Sequence, residues 1–136
     1  MSDFRRVTDS LSVSPQVTEA DIAQAAAEGF VLVINNRPDG EDPTQPSSAT
    51  IEAAARAAGM DYVHIPVRGG PGPDQVEAVR EAVEAANGPV LAFCRSGTRS
   101  IVTWSIGQAM SGETDRETLV RQGEAAGYDL SGVLPG

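Results

Sequence analysis

PVLAFCRSGTRSIVTW, Pro89 to Trp104, changes character twice along a short length of chain. Its first part is a continuous apolar run, which is what a strand covered on both faces requires. The stretch RSGTRS then supplies small polar residues, a glycine that permits a tight curl, and two arginines. Apolar residues return at Ile101, on a helix expected to begin near Thr98 to Ser100. A strand that runs through a glycine-containing loop into a helix is the opening of a βαβ-type unit, and it leaves Cys94 at the C-terminal end of the strand.

The flanking sequence repeats that alternation. QVTEADIAQAAAEGF reads as a helix opened by Thr18, with Asp21 three residues on and Gly29 as its stop. FVLVIN, Phe30 to Asn35, is a second buried strand. Asn36 to Ser47 is rich in Pro, Asp, Gly and Asn and forms a loop. A helix over about Ala49 to Ala58 ends at Gly59, and YVHIPV, Tyr62 to Val67, makes the next strand. After RGGPGP, Pro73 starts a helix that runs to Asn87, with Gly88 closing it. Glu113 to Gly127 has the pattern of one more amphipathic helix, and a short strand candidate lies in the N-terminal arm. The expected fold is α/β, a three-layer sandwich with a mostly parallel central sheet and helices on both faces. In such sheets the loops at the C-terminal strand ends converge, here NRPDGED, RGGPGP and CRSGTRS.

Length and composition narrow the classes of function. The chain has 136 residues, which suits one domain spanning residues 1–136. Net charge is -9, and all ten basic residues are arginine. An acidic chain with few aromatics is a poor general binder of nucleic acid. No apolar run approaches the roughly 20 residues needed to cross a bilayer. The first residues lack the apolar core of a signal peptide, so a cytoplasmic location and no membrane partner are expected. The lone Cys94 excludes a disulfide framework and a multi-thiolate metal site, and the lone His64 makes a zinc site improbable. No cofactor is called for.

Three readings of Cys94 remain: a buried inert thiol, an intermolecular link or a nucleophile. A thiol gains nucleophilic character beside cations or at a helix N-terminus, and this loop offers both. Cys94 and Arg99 are the expected catalytic pair. Arg95, Ser96, Gly97, Thr98 and Ser100 are expected to bind substrate through backbone N–H groups and hydroxyls, and Arg99 presents a fork suited to a tetrahedral oxyanion. Arg68 would add positive charge to the same pocket, which fits a small anionic substrate such as thiosulfate, a persulfide or a phosphate ester.

CRSGTRS resembles the active-site loop of single-domain rhodaneses. YVHIPV resembles the strand that precedes the acid loop of dual-specificity protein phosphatases. Together with VINNRPDGE they are similar to the phosphatase-like domain of bacterial beta-lactamase-hydrolase-like proteins, over roughly Val13 to Gln108. That resemblance implies a protein-tyrosine-phosphatase-like fold with Cys94 as nucleophile and Arg99 as the anion-binding arginine. Members are described both as phosphatases and as sulfurtransferases.

Two departures from the phosphatase pattern favour sulfur chemistry at this level. Cysteine phosphatases usually separate nucleophile and arginine by five residues, which would place the arginine at position 100. Ser100 stands there, and Arg99 follows Cys94 after only four. Dual-specificity phosphatases also carry an aspartate general acid at the position of Arg68, and a guanidinium does not donate a proton at neutral pH. Asp74 is an alternative acid, although it suits the first turn of a helix. Asp39 is placed to orient Arg99 or Arg37, although RPDG is also an ordinary turn. His64 is expected to be a packed or supporting residue. The leading expectation is a sulfurtransferase carrying sulfane sulfur as a Cys94 persulfide, with a partner enzyme of sulfur metabolism. The alternatives are a phosphatase working through a cysteinyl-phosphate and a non-catalytic anion- or redox-sensing module.

Overall fold

A computed structural model describes residues 2–134. The elements in chain order are β1 (Arg5–Arg6), β2 (Leu11–Ser14), α1 (Glu19–Ala27), β3 (Leu32–Asn35), α2 (Ser48–Ala57), β4 (Asp61–His64), α3 (Pro73–Ala85), β5 (Val90–Phe93), α4 (Thr98–Ser111) and α5 (Arg116–Ala126). They form one sheet in the order β1-β2-β5-β3-β4. Strands β2, β5, β3 and β4 run parallel, and β1 alone is antiparallel, paired to β2. The parallel architecture expected from the alternation of strands and helices is therefore present.

Strand β5 is central, and both of its faces are buried. Val90 and Ala92 pack with Leu11, Val13, Leu32 and Ile34 against Val79, Ile101, Trp104 and Leu119 of α3, α4 and α5. Leu91 and Phe93 point the other way, with Val33, onto Ile22 and Ala25 of α1 and Ile51 and Ala55 of α2. Alternate residues of a strand face opposite sides of its sheet, so a continuous apolar run is the sequence form of a strand between two helical layers.

The local signals act where expected. Thr18 and Asp21 form a reciprocal capping box at α1, and Pro73 occupies the first turn of α3. Three expectations are corrected. The N-terminal arm holds two strands, because Leu11–Ser14 pairs directly with β5 and all four of its residues, two of them serines, are buried. The strand expected over Tyr62–Val67 is Asp61–His64. Ile65 and Val67 still donate to the carbonyls of Asn35 and Asn36, but Pro66 between them has no N–H to offer the ladder. Helix α3 ends at Ala85 rather than Asn87, since Ala86 is extended.

Because four strands are parallel, their C-terminal ends share one edge. The loops beginning at Pro15, Asn36, Ile65 and Cys94 all leave the sheet there, and they build the site.

Candidate active site

The loop from Cys94 to Gly97 joins β5 to α4. Its base is anchored to the segment after β2: Cys94 N–H donates to Ser14 C=O (3.4 Å) and Gln16 N–H to Arg95 C=O (3.2 Å). Gly97 has φ +91°, a left-handed conformation that only glycine adopts readily, and this turns the chain into α4. The turn aims the Gly97 N–H at Cys94 Sγ, 3.0 Å away. Cys94 is fully buried. Its sulfur is thus held against a backbone donor at a helix N-terminus.

Helix α4 begins without a side-chain cap. The first N–H groups of a helix have no intrahelical acceptor. Thr98 N–H makes a long contact with Ser96 Oγ (3.4 Å), and the N–H groups of Arg99 and Ser100 have no acceptor among the described residues. Ser100 Oγ is likewise buried with no partner among the described residues. Backbone donors and the positive end of the helix dipole together make a site for an anion.

Arg99 is half-buried and tightly constrained. Nη1 donates to Glu41 Oε2 (2.8 Å) and Val67 C=O (2.9 Å), and Nη2 donates to Glu41 Oε1 (2.8 Å). A guanidinium carries five N–H donors. The two left over, on Nε and on Nη2, share one edge of the fork and have no acceptor among the described residues, which leaves them for an oxyanion. The hydrogen bond to Glu41 pushes Arg99 above its ordinary value, burial opposes this, and the neighbouring Cys94 sulfur adds to the rise.

Glu41 is the centre of this arrangement. Besides Arg99 it accepts from Arg37 Nε (3.0 Å), and Arg37 is only 5% exposed. Arg37 is held further by its Nη1 bond to Gln16 Oε1 (3.0 Å), by its N–H bond to Asn35 Oδ1 (2.8 Å) and by His64, whose Nε2 donates to the Arg37 carbonyl (2.8 Å). The Arg99 hydrogen bond is the main cause that brings the Glu41 carboxyl down to about 2, with Arg37 adding to it and burial working against it. His64 is accordingly a supporting residue. Asp39 does not orient either arginine: its Oδ1 accepts the Ser48 N–H at the start of α2 (2.8 Å). Glu41, two residues further on, takes that role because the RPDG turn carries it over the loop. Its signal in the sequence was the proximity of Arg37 and Glu41, which four-residue spacing brings within reach of one another.

Of the remaining expected site residues, Arg95 and Ser96 are exposed on the loop and Thr98 is exposed at the first position of α4, with Ser96 Oγ bonded to Thr98 Oγ1 (3.0 Å). Arg68 is exposed as well, next to the Val67 carbonyl that meets Arg99. Asp74 stands exposed in the first turn of α3, the ordinary place for an acidic residue.

A mostly parallel sheet between two helical layers, with the Cys94 loop at its C-terminal edge, is the architecture of the protein-tyrosine-phosphatase-like fold. Tk-PTP in its active form shares the architecture, with a TM-score of 0.72 over 95% of this chain and 88% of that one, at 20% identity. The chain belongs to the family described as Beta-lactamase hydrolase-like protein, phosphatase-like domain, whose model matches residues 3–111. It is 38% identical over 126 residues to the Beta-lactamase hydrolase-like protein of Agrobacterium fabrum, covering 92% of this chain but only 29% of that protein's length. A candidate phosphatase from Neisseria meningitidis, known from its crystal structure, is 34% identical, with a TM-score of 0.86 over 97% of this chain and 94% of that one.

Proposed function

We propose that the protein is a cysteine-dependent phosphatase acting on phosphate monoesters of phenols through a cysteinyl-phosphate. The observation that carries this reading is the Gly97 N–H held 3.0 Å from Cys94 Sγ at the start of α4, with the Arg99 guanidinium near enough to feel the same sulfur. Family membership and the likeness to the Neisseria protein support it. Sulfurtransfer, the leading expectation from the sequence, gains no support from either.

In the first step the Cys94 sulfur, as thiolate, attacks phosphorus in line with the ester oxygen. The S–P bond forms and the P–O bond breaks, the leaving oxygen keeping the electron pair. Arg99 and the first N–H groups of α4 carry the charge on the non-bridging oxygens. Water then attacks phosphorus, the S–P bond breaks, and inorganic phosphate and a proton are released while the sulfur recovers its charge.

The substrate class follows from the proton inventory. Arg99 and Arg37 hold the Glu41 carboxyl down at about 2, far below neutral pH, so it offers no proton to a leaving oxygen there. Asp39 is engaged at α2, Asp74 stands exposed in the first turn of α3, and Arg68 cannot serve. A phenolate, with a conjugate acid near pKa 10, departs without a general acid far more readily than an alkoxide does. The test is turnover of p-nitrophenyl phosphate against a simple alkyl phosphate. Aryl turnover that disappears in Cys94→Ser, with the alkyl ester slower by at least ~10²-fold, is the expected result. Full aryl turnover by Cys94→Ser rules out the mechanism.

A second reading is sulfane-sulfur transfer, and one observation favours it: Arg99 follows Cys94 after four residues instead of five, which narrows the loop. Mass spectrometry after incubation with thiosulfate decides between the two. One sulfur added to Cys94, without phosphate-ester hydrolysis, replaces the phosphatase reading.

A further inference from the structure

We infer that Tyr128, in the segment after α5, is a positioning residue that sets the direction of the Ser96–Gly97 peptide and so aims the Gly97 N–H into the anion site. Tyr128 lies beyond residues 3–111, the part of the chain that the family model matches. The inference rests on the anion-binding reading of the loop and adds a residue to it.

The geometry begins at the end of α5. Gly127, at φ +93°, reverses the chain, and the Tyr128 N–H closes on Gly123 C=O (2.8 Å). The ring is thereby sent back toward the sheet edge, where it is 9% exposed, and the Arg5 guanidinium of β1 lies 5.1 Å from its centroid. Its hydroxyl donates to the Ser96 carbonyl (2.8 Å). The N–H on the same peptide unit is the Gly97 N–H that meets Cys94 Sγ at 3.0 Å. No peptide bond among the described residues is cis, and in a trans peptide the C=O and N–H point in opposite directions. Fixing the carbonyl outward therefore fixes the donor inward.

The fit between the two groups is close. A Cβ at Gly97 would lie 2.1 Å from the Tyr128 hydroxyl oxygen, so the phenol fills the space any side chain at 97 would need. Without the hydroxyl, the carbonyl loses its partner, and rotation of the peptide would turn a partial negative charge toward the sulfur and any bound oxyanion. Burial raises the Tyr128 phenol above its usual 10, so it remains a donor across the working pH range.

Tyr128→Phe keeps the ring and its stacking with Arg5 and removes only the donor. The first readout is amide hydrogen exchange by NMR in the full chain without ligand, which needs no turnover. Gly97 exchange is expected to speed up about tenfold, the effect of losing one hydrogen bond that holds the peptide, while Trp104 in α4 is unchanged. The second is affinity for tungstate, a tetrahedral oxyanion, expected to weaken about tenfold by the same arithmetic. If Tyr128→Phe does not fold, para-aminophenylalanine at position 128, which keeps a donor on the ring, should give wild-type Gly97 exchange. Gly97 exchange and tungstate affinity both within twofold of wild type, or loss of Gly97 protection despite the amino donor, overturns the inference. Failure of the wild-type protein to bind tungstate, with Gly97 exchange still governed by residue 128, would instead count against the anion-binding reading alone.

Discussion

Replacing Glu41 with glutamine tests whether the arginine pair is held as the structure indicates. The substitution keeps the shape of the side chain and one carbonyl oxygen, but it removes the charge that accepts three bonds, two from Arg99 and one from Arg37. Arg37 is nearly fully buried, so the variant strands a guanidinium whose remaining side-chain partner is the neutral Gln16. Removing one partner of a fully buried ion pair costs about 3–5 kcal/mol. The Glu41 side chain is 29% exposed and in part screened by water, which brings the expected loss to about 2–3 kcal/mol. Urea unfolding of Glu41→Gln should show that loss as a lower midpoint at unchanged slope. A cycle with Arg37→Met should recover at least ~1 kcal/mol as coupling, because the stranded charge is then gone. The same variant frees the Arg99 fork, and kcat/KM for an aryl phosphate should fall about 10- to 100-fold, the scale of a misplaced catalytic group. A stability change below ~0.5 kcal/mol, the level of an ordinary surface substitution, would refute the reasoning.

Gly97→Ala should lose about 2–4 kcal/mol, combining a left-handed alanine with the contact against Tyr128. A thermal melt checks it, and a midpoint within a few degrees of wild type contradicts it. Acid unfolding should carry a contribution from Glu41. Its carboxyl sits at about 2 in the folded chain against an ordinary 4.5, so the folded state binds that proton more weakly than the unfolded state does. The stabilisation is complete above about pH 4.5 and is lost as the pH falls through 2, and Glu41→Gln should flatten the stability profile across that window. Asp74→Asn should leave aryl phosphate turnover within about twofold, since an exposed residue in the first turn of α3 supplies only a small dipole interaction. A drop of 10²-fold or more would make Asp74 the general acid.

The amino-acid order by itself determined the layered α/β architecture. Apolar runs such as Leu32–Ile34 and Val90–Phe93 can be buried on both faces only inside a sheet covered by helices, and the Thr18, Pro73 and Gly29 signals act within a few residues of themselves. The Cys94-to-Arg99 loop was legible for the same reason, since strand end, glycine and helix start are consecutive. Tertiary structure decided everything that joins distant segments. Leu11–Ser14 became a buried strand only by pairing with β5, Glu41 rather than Asp39 took the arginines, and Tyr128 reached Ser96. Those contacts depend on loop paths across the sheet edge, where a shift of one or two residues changes which carboxylate points inward, and no local periodicity records such a path.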